Sequence, residues 1–199
     1  RCRRKSSHAD WYVSIYFHTL THSHKQPNTH SGTTPILTSA RYERVDMMHK
    51  LLKRGADYDA AETETGWSCA HFAAFRGNDT IAKILIDCGA TLEHLEKRIG
   101  ISPLHVTCRE GHEEVAEALM SAGVNVDVRD VRGETPLYYA CRSNLVRSVK
   151  NLVRFGANVN ARDKTRRTPL HEACACQSVR SLRFLLSSHA SIYACDDED

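Results

Sequence analysis

From Ile101 to Asp130 the chain reads ISPLHVTCREGHEEVAEALMSAGVNVDVRD, and its apolar positions fall into two short helical stripes separated by a polar break. Ser102 is placed to cap a helix through its hydroxyl, and Pro103 follows at the first helical position, where a missing N–H loses nothing. That helix is expected to run to about Arg109. Gly111, free to take positive φ, then turns the chain back. A second helix opens on Glu113 and Glu114, whose charge suits its N-terminal dipole. Val115, Ala116, Leu119 and Met120 give it one apolar stripe, and Gly123 closes it. Neither helix is long enough to persist alone in water, so the stripe has to be covered.

Repetition supplies the cover. Five N-cap positions, Thr34, Ser68, Ser102, Thr135 and Thr168, stand 34, 34, 33 and 33 residues apart, a period that marks a solenoid of stacked helix pairs. The tetrapeptides starting there are TPIL, SCAH, SPLH, TPLY and TPLH. Together with GHEEVAEAL after the third start and the GAD, GAT, GVN and GAN tracts, they resemble ankyrin repeats. The resemblance covers residues 33 to 194. It implies an all-α solenoid of five helix–turn–helix units, ten short helices in all, with β-hairpin-like loops projecting from one edge. It divides the chain into an N-terminal segment, 1–32, and an array, 33–199. There are departures. The turn glycine present as Gly77 and Gly111 is replaced by Glu43, Asn144 and Gln177, and the closing glycine of the last copy by His189. The first and last repeats are therefore expected to be the distorted ones.

At 199 residues, 41% hydrophobic and 26% charged, the composition is that of an ordinary soluble chain. A net charge of +3 is too small to argue for nucleic acid. No apolar run approaches the roughly 20 residues of a membrane span. Of eight cysteines, Cys108, Cys141 and Cys174 share a repeat position that Ala40 and Ala74 fill in the first two copies. All three are expected to face the core between repeats as small apolar residues. Reduced, buried thiols fit the cytoplasm or the nucleus.

The first 30 residues differ in kind. RCRRK is a basic end without a methionine, read as a start inside a longer protein and as a solvated terminus or an import signal. WYVSIYFHTL is broken by Ser14 and His18 and is no signal peptide. An end repeat needs a cover, so residues 10–20 form a degenerate capping element or are a disordered extension. His22, His24 and His30 lack partners at ligand spacing and are read as a polar loop. His171, Cys174 and Cys176 do not share one helical face, and the histidine of the TPLH signature serves backbone hydrogen bonding in the family that the array resembles. No phosphate loop, carboxylate pair or nucleophile elbow is present, so neither a catalytic centre nor a cofactor is expected. Asn160, in LVRFGANVN, resembles the loop asparagine that intracellular hydroxylases modify in ankyrin proteins, although Asp59, Glu93 and Asp127 hold the equivalent positions.

The resemblance also implies where a partner protein sits: against the concave ends of the first helices and the loop tips. Those positions are Arg41 and Tyr42, Phe75 and Arg76, Arg109 and Glu110, and Arg142 and Ser143, followed by Ala175 and Cys176. Phe72 and Tyr139 lie one turn earlier and extend the strip. Arginine and aromatic residues dominate binding hot spots. Phe75 is expected to be exposed, and Arg76, Arg109 and Arg142 to form a basic ladder that suits a segment of alternating acidic and apolar residues. The loop tips run from acidic (Asp57, Asp59, Glu62, Glu64) through mixed (Glu93, Glu96, Lys97, Arg98, then Arg129, Asp130, Arg132) to basic. Arg162, Lys164, Arg166 and Arg167 make the basic tip, and the closing Asp196, Asp197, Glu198 and Asp199 look like a further tip cut short. The expected molecule is a monomeric, non-enzymatic adaptor. A substrate receptor of a cullin-type ubiquitin ligase, resembling ankyrin proteins with a C-terminal SOCS box, is the alternative, and a zinc or thiol enzyme the remote one.

Overall fold

Every repeat start is followed by a helix in the computed structural model, which describes residues 32–197. The proposed cap at 10–20, the histidines at 22, 24 and 30, and Cys2 lie outside the described residues. Ten helices form five pairs: α1 (Pro35–Arg41) with α2 (Val45–Leu52), α3 (Cys69–Arg76) with α4 (Asp79–Asp87), α5 (Pro103–Glu110) with α6 (Glu113–Ser121), α7 (Pro136–Arg142) with α8 (Val146–Arg154), and α9 (Pro169–Ala175) with α10 (Val179–Ser187). First helices pack on first helices along the array, and from α4 onward second helices pack on second helices, giving two layers. The protein is thus an all-α repeat solenoid. No described helix is long and apolar enough to cross a membrane.

Local chemistry sets each pair. The Ser102 hydroxyl accepts the His105 amide at 3.4 Å, and the Ser102 amide donates back to His105 Nδ1 at 3.1 Å. His105 is fully buried, and burial pulls its pKa down to about 4, so the ring is neutral. With Nδ1 accepting, Nε2 carries the proton and donates to the Glu134 carbonyl, 3.1 Å away at the start of the next repeat. His71 repeats the arrangement on Ser68 and the Ile101 carbonyl. In the fourth repeat Tyr138 stands in the histidine's place. Its hydroxyl reaches the Ala161 carbonyl at 2.9 Å and also the Arg167 carbonyl, so the link between repeats survives. The cap does not: Thr135 Oγ1 is left buried without a hydrogen bond.

The turns between paired helices need positive φ. At Gly77, with φ 69°, a Cβ would also stand 2.4 Å from the His112 ring, so both backbone and space require glycine. Glu43, Asn144, Gln177 and His189 take the same conformation with φ of 57°, 55°, 54° and 63°, bearing the strain that their positions predicted.

Two buried clusters make up the core. One gathers Ile36, Leu37, Met48, Trp67, Phe72, Leu85 and Leu119 from repeats one to three, and the other Leu104, Met120, Leu137, Tyr138, Leu152 and Leu185 from repeats three to five. Phe75 and Val124 pack against both. In the small-residue column Ala40, Ala74, Cys108 and Cys141 are fully buried, but Cys174 is exposed. The expectation for Cys174 is corrected for a simple reason: the column is covered by the following repeat, and no described helix follows the fifth.

Candidate functional site

The strip at the ends of the first helices is built from side chains that mostly answer to one another. Arg41 forms an ion pair with the buried carboxylate of Glu62 and lies 4.9 Å over the Phe72 ring. Arg76 donates to the Arg41 carbonyl at 3.2 Å and stands 5.7 Å over Phe75. Arg109 is paired with its neighbour Glu110 at 2.7 Å. The Ser143 hydroxyl donates to the Arg109 carbonyl at 3.1 Å. Arg142 is held by Glu134 at 2.7 Å and by Glu172 at 2.8 Å, with the Tyr139 ring 5.4 Å below.

These contacts correct three expectations. Phe72 and Tyr139 are each only 3% exposed, so they are core residues and extend no binding strip. Phe75 is half-buried, with its ring edge-on to Trp67 at 5.8 Å between centroids. It has a packing reason after all. The basic ladder of Arg76, Arg109 and Arg142 is not bare, because carboxylates stand beside Arg109 and Arg142 and screen the repulsion that a naked row would carry. Of the strip, Tyr42 is the exposed aromatic, at 52%.

Electrostatics centre on Arg142. Burial alone would lower its pKa, but the hydrogen bonds and charges of Glu134 and Glu172 reverse that and raise it. Burial pushes Glu134 upward more than Arg142 and Arg132 pull it down. Glu172 is also raised by burial, yet Arg142 and then Arg167 bring it below the ordinary carboxylate range. A half-buried cation between two buried carboxylates is a clamp between neighbouring repeats, and removing it leaves both without their main counter-charge.

The hairpin-like loops stand side by side in fixed register. Lys97 N–H donates to Thr65 O at 2.9 Å, Val131 N–H to Ile99 O at 2.9 Å, Lys164 N–H to Arg132 O at 2.8 Å, and Asp197 N–H to Thr165 O at 3.1 Å. Each loop is folded by an acidic residue at its base. Glu96 accepts the Arg98 and Ile99 amides, Asp130 those of Arg132 and Glu134, and Asp163 those of Thr165 and Arg167, all between 2.8 and 2.9 Å. Glu62 accepts the Thr65 hydroxyl at 2.7 Å. Glu62, Glu96 and Asp130 are buried, which corrects their reading as tip charges. A second acidic column ties successive repeats: Asp59, Glu93 and Asp127 accept the amides of Thr91, Asn125 and Asn158. Asn160 continues that column, accepting from Ser191 N–H at 2.7 Å and donating to His189 O at 3.4 Å.

Glu134 and Glu172 are the residues of the candidate strip that sequence reasoning missed. The signal was present for their neighbours: Glu62, Glu96, Asp130, Asp163 and Asp196 recur at 34, 34, 33 and 33 residues, the interval of the repeat itself. Charge that keeps register with the fold belongs to the fold. Arg162, Lys164 and Arg166 remain exposed, with Arg166 at φ 61° where the other tips have glycine. Among the described residues no three His, Cys, Asp or Glu side chains converge to hold a metal ion. A family model for ankyrin repeats in three copies matches residues 13–96, 71–163 and 104–196.

Proposed function

The chain belongs to the ankyrin repeat family, a non-enzymatic fold that serves as a protein–protein interaction module, and we propose that it grips a partner protein at the first-helix ends around Tyr42 and Arg76. The observation that carries this reading is the exposure of Tyr42. It stands at the C-terminal cap of α1, next to the Arg41 carbonyl that holds the Arg76 side chain. A half-exposed tyrosine beside a cation has the chemistry of a binding anchor, since it offers apolar area with a polar tip. Glu110 and Ser143, exposed and half-exposed further along, orient the partner. Arg41, Arg109 and Arg142 set the shape of the strip rather than its free charge. Nothing in the described residues favours the ubiquitin-ligase reading over a plain adaptor.

The test is affinity capture from cell extract with the wild-type chain and with Tyr42→Ala/Arg76→Glu, both checked for native helix content. The variant is expected to lose the main captured protein. Capture of the same protein at the same strength overturns the assignment.

A further inference from the structure

The hairpin row has an inside and an outside, and they carry opposite signs. Its acids are turned inward: Glu96 and Asp130 are 5% and 6% exposed and are occupied by turn amides, while Glu134 is held by Arg132 and Arg142. The charge that faces solvent on the second, third and fourth hairpins is mostly cationic, namely Lys97, Arg98, Arg129, Arg162, Lys164 and Arg166, and the exposed acid Glu93 is bonded to the Asn125 amide. The register brings these cations together across hairpins. Arg129 donates to the Arg162 carbonyl at 2.5 Å, and Lys164 N–H lies on the third hairpin's Arg132 carbonyl. Two apolar side chains share the row, Leu95 at 47% and Val131 at 49% exposure, and Val131 holds the register position that Lys97 and Lys164 hold in the neighbouring hairpins.

The next tip in the same register is acidic and lies against the end of this row. Asp197 N–H bonds to Thr165 O at 3.1 Å, its carboxylate is 3.7 Å from Arg166, and that of Asp196 is 3.8 Å from Arg167. These contacts belong to the hairpin register, and in them carboxylates pair with the arginines of the fourth tip. We propose that the outer edge of hairpins two to four docks an extended acidic segment of a partner protein, with its apolar side chains meeting Leu95 and Val131. This deepens the interaction reading above and rests on it. A single exposed ion pair contributes little. A row of cations steers and orients a partner of opposite charge, and the two apolar side chains discriminate a protein from a bare polyanion.

The experiment follows the fluorescence anisotropy of a labelled synthetic peptide alternating Glu and Leu. A Lys-for-Glu version and a single-stranded oligothymidine serve as comparison probes. The proteins are the wild-type chain, Arg162→Glu/Lys164→Glu and Tyr42→Ala/Arg76→Glu, each with its melting temperature measured. The Glu–Leu peptide is expected to bind the wild-type chain saturably and more weakly at high salt. The hairpin variant should lose about tenfold in affinity at an unchanged melting temperature, and the Tyr42 variant none. Absence of saturable binding, equal binding by the hairpin variant, or tighter binding of the oligothymidine overturns the proposal. If it fails while capture still depends on Tyr42 and Arg76, the interaction reading stands without this edge. If capture fails as well, both fall.

Discussion

Arg142 sits between Glu134, at the base of the third hairpin, and Glu172, on α9 of the fifth repeat, so one guanidinium joins three successive structural units. Removing it would leave two largely buried carboxylates without their main counter-charge. Arg142→Met is expected to lower stability by about 3 kcal/mol, measured by urea denaturation. Adding Glu134→Gln to that variant should recover part of the loss. A change within experimental error would mean that the clamp contributes nothing net.

Ser148 and Ser181 offer the opposite opportunity. They are 2% and 0% exposed and their hydroxyls make no hydrogen bond among the described residues, at positions that Ile81 and Val115 fill in the second and third repeats. Ser148→Val and Ser181→Val should each raise stability by about 1 kcal/mol, read as a higher melting temperature. A fall would show that the surrounding helices close too tightly for the added methyl groups.

Thiol chemistry separates the cysteines into two groups. Cys108 is fully buried and burial drives its pKa up to about 12, as it does for Cys69, while Cys141 is raised in the same way. These three should label slowly under native conditions, and Cys88, Cys174 and Cys195 at once, as followed by mass spectrometry of the modified chain. Fast labelling of Cys108 would place the column outside the core.

Acid should weaken the fold before ordinary carboxylates titrate. His71 and His105 have folded pKa values of about 4 against 6.5 for a free histidine, both lowered by burial. Between those values the unfolded chain binds more protons than the folded one, so stability declines as pH falls through that window. The loss should reach about 2 kcal/mol per histidine by roughly pH 5 and saturate below pH 4. In His105→Gln, denaturation midpoints measured from pH 7 to 4 should fall less steeply than in the wild type.

The architecture was legible because caps, turn residues and apolar stripes all repeat with one period, and each is a local demand of the backbone. Even the irregular turns at Glu43, Asn144, Gln177 and His189 were legible, since a missing glycine leaves the demand for positive φ in place. The strip was harder. Whether Phe75 is solvated or leans on Trp67 depends on a contact between rings eight residues apart whose directions periodicity does not give. Glu62 and Asp130 looked like surface charge because composition does not distinguish a carboxylate facing water from one folded over its own turn amides. Cys174 shows the remaining gap: a repeat position predicts burial only where a neighbouring repeat covers it, and none of the described helices covers Cys174.

The division of the core into two clusters bears on cooperativity. Val115 and Leu119 belong to the first cluster and Ala116 and Met120 to the second, so α6 contributes buried side chains to both, as α3 does through Phe72 and Ala74. Each half can open while the other keeps most of its own apolar contacts, with the seam between repeats two and three as the shared hinge of two unfolding events. Hydrogen exchange at amides around Trp67 and around Tyr138 then reports two different free energies. A substitution at Leu119 lowers the first directly and reaches the second only through the helices that they share.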